Sequence, residues 1–152
     1  MTDISMVGPD GGELVLTGPV RMRILEDGST TGHRLGTGEI TVATRTDGPA
    51  QHRHGRHDEG FYVVSGAARF TVGDTSYDAG PGTLVMIPPG APHTFANPGA
   101  DPVVLLNTFT PDVGHLGRGR PDRRSRLWPC LRRCHPRRPV QAVARHRPPP
   151  AA

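Results

Sequence analysis

Four residues of this chain have the types and spacing of ligands for a divalent transition metal: His52, His54, Glu59 and His93. Three imidazoles and one carboxylate suit Fe, Mn, Ni, Co, Cu or Zn, and do not select among them. A cation so held polarises an oxygen atom of a bound small molecule and stabilises the charge that develops there. Glu59 is also the candidate general base for a substrate hydroxyl. On an extended segment, side chains two positions apart share a face, so His52 and His54 stand together about 6–7 Å apart along the backbone. The polar excursion Gly55-Arg56-His57-Asp58 can fold Glu59 back toward them. The turn encoded by Pro88-Pro89-Gly90 delivers His93 from a second segment.

The elements that must position these residues read as short strands. Glu13–Thr17 is one; Arg21–Glu26 alternates and stops at Asp27-Gly28; Gly38–Arg45 alternates with Ile40, Val42 and Thr44 on one face. Asp47-Gly48-Pro49 then turns into Gln51–His54, expected as the strand that carries the first two histidines. Gly60–Ser65, Ala67–Val72, Thr75–Asp78, Thr83–Ile87, His93–Ala96 and Val103–Phe109 follow, separated by glycine and proline turns. Turn signals every 8–12 residues and no helical window before residue 112 point to an all-β sandwich or barrel. Strand parity makes a further statement. If Glu59 points inward, so do Phe61 and Val63, and if His93 points inward, so does Phe95. Those three side chains would form an apolar pocket wall beside the metal, suited to a small apolar or aromatic molecule.

The two ligand-bearing strings resemble the motifs of the cupin superfamily, specifically its small, single-domain, metal-binding, quercetin-dioxygenase-like members. The first motif of that superfamily wants two histidines one residue apart, a glutamate a few residues on, and a glycine after six more. His52, His54, Glu59 and Gly66 stand at those positions, and Gly82, Pro88, Gly90, His93 and Asn97 match the second motif. One departure exists. The glycine that usually precedes the first histidine by six positions is Gly48, four before it, which shortens a turn. The motifs cover residues 48–97, and the strand pattern extends the likeness to residues 13–112. The resemblance implies a double-stranded β-helix, a jelly-roll barrel with one divalent transition metal inside. It implies a metal-dependent dioxygenase acting on a small aromatic or enol-type molecule. Two alternatives stay open: a non-redox isomerase, cyclase or lyase on the same site, and a barrel that binds a small molecule without turning it over. Homodimers are expected by the same resemblance, through edge strands that need cover, with Glu13–Thr17 the candidate for exchange.

Composition divides the 152 residues unevenly. Residues 1–12 read as a flexible lead, 13–112 as the barrel, and 113–152 as an arginine- and proline-rich tail expected to be disordered. Residues 1–117 hold seven arginines against thirteen acidic residues; residues 118–152 hold eleven arginines against Asp122. The net charge of +4 therefore belongs wholly to the tail. Such a tail offers too little apolar surface to offset its ordering entropy. Closing helices are expected after Thr108-Phe109-Thr110-Pro111 in small proteins of this kind, and a frameshift near residues 113–116 would explain their replacement. Nucleic acid is not an expected partner, because Trp128 is alone and the barrel is acidic. No apolar run approaches the ~18 residues that span a bilayer, and Met1–Ser5 does not open like a signal peptide, so the cytoplasm is the expected location.

Other residues compete for the metal role. His57 sits in the excursion before Glu59 and reads as solvent-exposed or as a neighbour that supports the ligands. His33 and His115 read as surface residues. Cys130, Cys134 and His135 are too few for a zinc site in that context. Asn97 reads as the brace of a turn, and Gly66, Gly82 and Gly90 as positions whose backbone angles exclude a β-carbon.

Overall fold

Alternation of apolar and polar residues every second position drives this chain into strands with one face inside. The computed structural model describes residues 4–112. Ten strands follow in chain order: β1 (Glu13–Thr17), β2 (Val20–Glu26), β3 (Gly36–Val42), β4 (Thr46–Asp47), β5 (Asp58–Ser65), β6 (Ala68–Val72), β7 (Thr75–Ala79), β8 (Leu84–Ile87), β9 (His93–Asn97) and β10 (Val103–Thr110). They form a six-stranded sheet, β1-β2-β3-β10-β5-β8, and a four-stranded sheet, β4-β9-β6-β7, with antiparallel pairing throughout. This is the all-β jelly roll expected from the sequence. The arginine-rich tail, His115, the two cysteines and the proposed frameshift lie outside the described residues. Among the described residues no helix is long and apolar enough to cross a membrane.

The core lies between the sheets. Ile40 and Val42 from β3, Phe61 and Val63 from β5, Phe70 from β6, Phe95 from β9, and Val103 and Leu105 from β10 are all buried. Each such side chain contributes about 1.5–3 kcal/mol by leaving water. The rings of Phe61, Phe70 and Phe95 meet at centroid distances of 5.2 and 5.4 Å, in tilted arrangements that suit the charge distribution of aromatic rings. Strands β3, β9 and β10 bury every second residue without exception, so their register is strongly fixed.

The structure departs from the sequence reading in two places. The strand expected over Gly38–Arg45 ends at Val42, because Arg45 takes a positive φ of 50° and turns the chain into the short β4. Thr44, expected to share a face with Ile40 and Val42, is exposed as a result, whereas those two are buried. Gln51–His54 is not a strand either. Pro49 and Gly55 confine it, and only His52 forms a bridge, to His93.

Close backbone approaches explain why certain positions are fixed. A β-carbon at Gly48 would collide with the carbonyl oxygen of Phe95, so the shortened turn lies directly against β9. Gly66 combines a φ of 74° with a site where a β-carbon would stand 2.5 Å from the Pro102 carbonyl oxygen. At the other end of the chain, the Arg23 guanidinium donates to the carbonyls of Gly8, Pro9 and Gly11 at 2.9–3.2 Å, tying part of the lead to β2.

Asn97 braces the end of β9 as the sequence suggests. Its amide nitrogen faces the carbonyls of Val42, Ala43 and Asp101 at 3.2, 3.0 and 2.8 Å, and its oxygen accepts from Gly99 N–H at 2.9 Å. Asn97 is 1% exposed, so truncation leaves buried carbonyls without donors. Asn97→Ala should cost about 2–4 kcal/mol. Equilibrium denaturant unfolding checks this, and a loss under 1 kcal/mol would contradict the bracing role.

Candidate metal centre

The site forms where the two sheets meet at one end of the barrel. β5 supplies Glu59 near its start, and β9 supplies His93 as its first residue. The loop between β4 and β5 carries His52 and His54. That loop is docked by backbone bonds: His52 N–H donates to the His93 carbonyl at 2.9 Å, and His93 N–H donates to the His52 carbonyl at 2.7 Å. Gly90 N–H adds a bond to the His54 carbonyl at 2.6 Å, so the turn before His93 also grips the loop. Gly82 and Gly90 both hold positive φ, at 86° and 85°, as their turns require.

One candidate ligand atom from each of His52, His54, Glu59 and His93 lies within 4.8 Å of the other three. Ring centroids of His52 and His93 are 4.6 Å apart, those of His52 and His54 5.0 Å, and those of His54 and His93 5.2 Å. Glu59 Oε2 is the focus. It stands 2.8 Å from Nε2 of His54 and 2.7 Å from Nε2 of His93. His54, Glu59 and His93 are buried, and His52 is half-buried at the mouth of the cluster.

The other ring nitrogens are fixed by backbone. His52 Nδ1 lies 3.0 Å from the Ala50 carbonyl, and His93 Nδ1 lies 3.0 Å from the Ala91 carbonyl. A carbonyl accepts only, so both Nδ1 atoms carry protons and each Nε2 is the atom left to face a cation. The donor set therefore fits a divalent transition metal: three imidazole nitrogens and one carboxylate oxygen, mutually close and largely buried.

Electrostatics agree with that fit. Burial alone would push the Glu59 carboxyl up, but hydrogen bonds from His54 and His93 outweigh it and hold the pKa at about 2. Burial lowers His52 to about 4, against the pull of the Ala50 carbonyl, so its ring is neutral near pH 7. For His93, burial lowers the pKa, yet the bonds to Glu59 and the Ala91 carbonyl prevail and the net shift is upward. Glu59 is thus an anion held by imidazole N–H groups where a cation would take their place.

Of the two readings open for His57, exposure or support of the ligands, its placement agrees with the second: it is 4% exposed, its ring lies 4.4 Å from the His54 ring, and burial lowers its pKa. Within the excursion Gly55 and Arg56 stay exposed and His57 alone is buried, its ring and that of His54 lying near-perpendicular to Phe109 at 5.0 and 5.7 Å. His33 is exposed, as expected. Phe61, Val63 and Phe95 are 0%, 0% and 6% exposed, with Phe61 reaching the His93 ring at 6.5 Å and Phe95 packed on Phe61. Two neighbours of the site went unread in the sequence: Phe109, and Asn107, whose amide donates to Glu59 Oε1 at 3.0 Å. Strand parity on Val103–Phe109 was the signal for both, since inward Val103 and Leu105 put Asn107 and Phe109 on the same face.

Comparison with known proteins bears on this arrangement. Residues 38–109 match the Cupin_2 family, described as cupin domain. The structure is similar to KdgF from Halomonas sp., at 21% identity and a TM-score of 0.60 over 70% of this chain and 94% of that one. It is similar to an RmlC-like cupin from Shewanella frigidimarina, at 23% identity and a TM-score of 0.59 over 73% and 95%. A predicted oxalate decarboxylase from Thermotoga maritima shares 16% identity and a TM-score of 0.59 over 64% and 90%. None of the curated proteins matches this chain. Residues 38–109, which carry all four candidate ligands, thus match a cupin domain, and the jelly roll around them is a fold shared with solved cupins.

Proposed function

We propose that this cupin is a metal-dependent enzyme of the dioxygenase type, acting on a small aromatic or enol-type molecule. The observation that carries the proposal is the convergence of His52, His54, Glu59 and His93 within 4.8 Å around one buried carboxylate oxygen. A bound divalent cation would supply Lewis acidity toward a substrate oxygen and, if redox-active, a site for dioxygen chemistry. The chain's own residues do the rest. Carbonyls of Ala50 and Ala91 orient two imidazoles; Phe61, whose ring lies 6.5 Å from that of His93, would close the inner side with apolar surface, backed by buried Phe95 and Val63. A wall of that kind favours a ring or a conjugated enol over a polyhydroxylated molecule. Glu59, with a pKa near 2, serves first as ligand; any proton it takes from a substrate hydroxyl would need a strongly acidified donor.

A second reading is a non-redox lyase, isomerase or cyclase on the same four residues. The similarity in fold to a predicted oxalate decarboxylase supports keeping it, and identical ligands serve several chemistries on one fold. A homodimer belongs to the proposal as well. β1 is an edge strand whose Leu14 and Leu16 are exposed, at 52% and 66%, which favours cover by a second chain.

Elemental analysis of protein loaded separately with Fe, Mn, Ni, Co, Cu and Zn should give about one ion per chain. His54→Ala and His93→Ala should each weaken binding by more than the 10–100-fold typical of losing an outer partner. Equal metal content in these variants and the parent would refute the site. Turnover of an aromatic or enol substrate in air that stops under anaerobic conditions supports the dioxygenase reading; turnover indifferent to oxygen selects the second.

Acid should destabilise the metal-free protein in a defined window. The Glu59 pKa is lowered on folding from 4.5 to about 2, so the stabilisation is complete above 4.5 and is lost as pH falls toward 2. The denaturant midpoint should fall across that interval, and Glu59→Gln should make the fall shallower. An unchanged slope in Glu59→Gln would show that the carboxylate gains nothing from its imidazole partners.

A further inference from the structure

Asn107 is the one polar side chain on the inward row of β10, which otherwise carries Val103, Leu105 and Phe109. It is fully buried, at 0% exposure. Its Nδ2 donates to Glu59 Oε1 at 3.0 Å and to the Gly60 carbonyl at 3.2 Å. Reversing the amide would set its oxygen against a carboxylate oxygen and a carbonyl oxygen, so the orientation follows from the neighbours. Its Oδ1 has no hydrogen-bond partner among the described residues. A buried acceptor left in that state costs free energy that leucine would avoid. Packing therefore does not select asparagine here; the bond to Glu59 does.

The two oxygens of Glu59 are divided by this arrangement. Oε2 faces Nε2 of His54 and His93, while Oε1 is turned to the amide. Asn107 has little freedom to retreat, since β10 is paired with β3 on one side and β5 on the other, opposite Gly38 and Phe61. The same amide also holds the carbonyl of Gly60, the residue that follows the ligand.

We propose that Asn107 is a positioning residue that restricts Glu59 to donating a single oxygen to a bound cation. This rests on the reading of the site as a metal centre. A carboxylate free to offer both oxygens would take up one coordination position more. Asn107 thereby keeps that position available for water or for an oxygen of a small-molecule ligand. The bond acts on the number of places left open, not on the identity of the ion.

Mn2+ alone is the probe. The number of exchangeable water ligands is counted in the loaded protein from the broadening of its electron paramagnetic resonance lines in 17O-enriched water. Asn107→Leu and Asn107→Ala, with folding checked by thermal melting, should each carry one water fewer than the parent. Unchanged water numbers in folded, Mn2+-binding variants would overturn the inference and leave the metal centre standing. A parent protein that binds no Mn2+ would overturn both together. A second measurement needs no variant: with 13C-carboxyl glutamate, the infrared difference between loaded and metal-free parent should show widely separated antisymmetric and symmetric stretches, as one-oxygen donation requires. A narrow separation would overturn the inference even if both variants fail to fold.

Discussion

The reciprocal pair of backbone bonds between His52 and His93 is the constraint on which the site depends. It joins a loop to the first residue of β9, so two ligands distant in the chain are brought together by main-chain hydrogen bonding. The separation of their rings then follows from the spacing of paired backbones. Glu59 comes from the opposite sheet, and the depth of the core between β5 and β9 sets how far its carboxylate must reach. Packing of Phe61 against Phe95 and Phe70 holds that depth. Ligand geometry in this protein is therefore a property of the barrel more than of flexible side chains.

Electrostatics and packing cooperate at the cluster. A buried carboxylate is costly unless it is hydrogen-bonded, and Glu59 receives bonds from two imidazoles and one amide. Two of the imidazoles are held in turn by backbone carbonyls of residues two positions before them. His57 and Phe109 fill the space behind His54. Each candidate ligand thus has a neighbour that fixes its direction, so the protein itself arranges the cluster.

Much of this was legible in the residues themselves. Strand parity from Glu59 through Phe61 to Val63, and from His93 to Phe95, reads correctly because a period of two leaves no freedom once one face is buried. The same logic applied to Val103–Phe109 puts Asn107 inward, but parity within one strand does not tell that its amide meets Glu59 on the neighbouring strand. Loops were less legible. Nothing local distinguishes a loop histidine that is buried, as His57 is, from one that stays in solvent; its ring contact, Phe109, is remote in sequence. Gln51–His54 has the composition of a strand yet makes a single bridge, because its neighbours Pro49 and Gly55 limit pairing.

Position 48 has a bearing on how this protein can change. Its backbone leaves no room for a side chain beside Phe95, and it lies on the stretch leading to His52. Any larger residue would pry the histidine-bearing loop from its partner strand without touching a coordinating atom. A substitution there could thus open the cluster while His52, His54, Glu59 and His93 all stayed unchanged in the sequence.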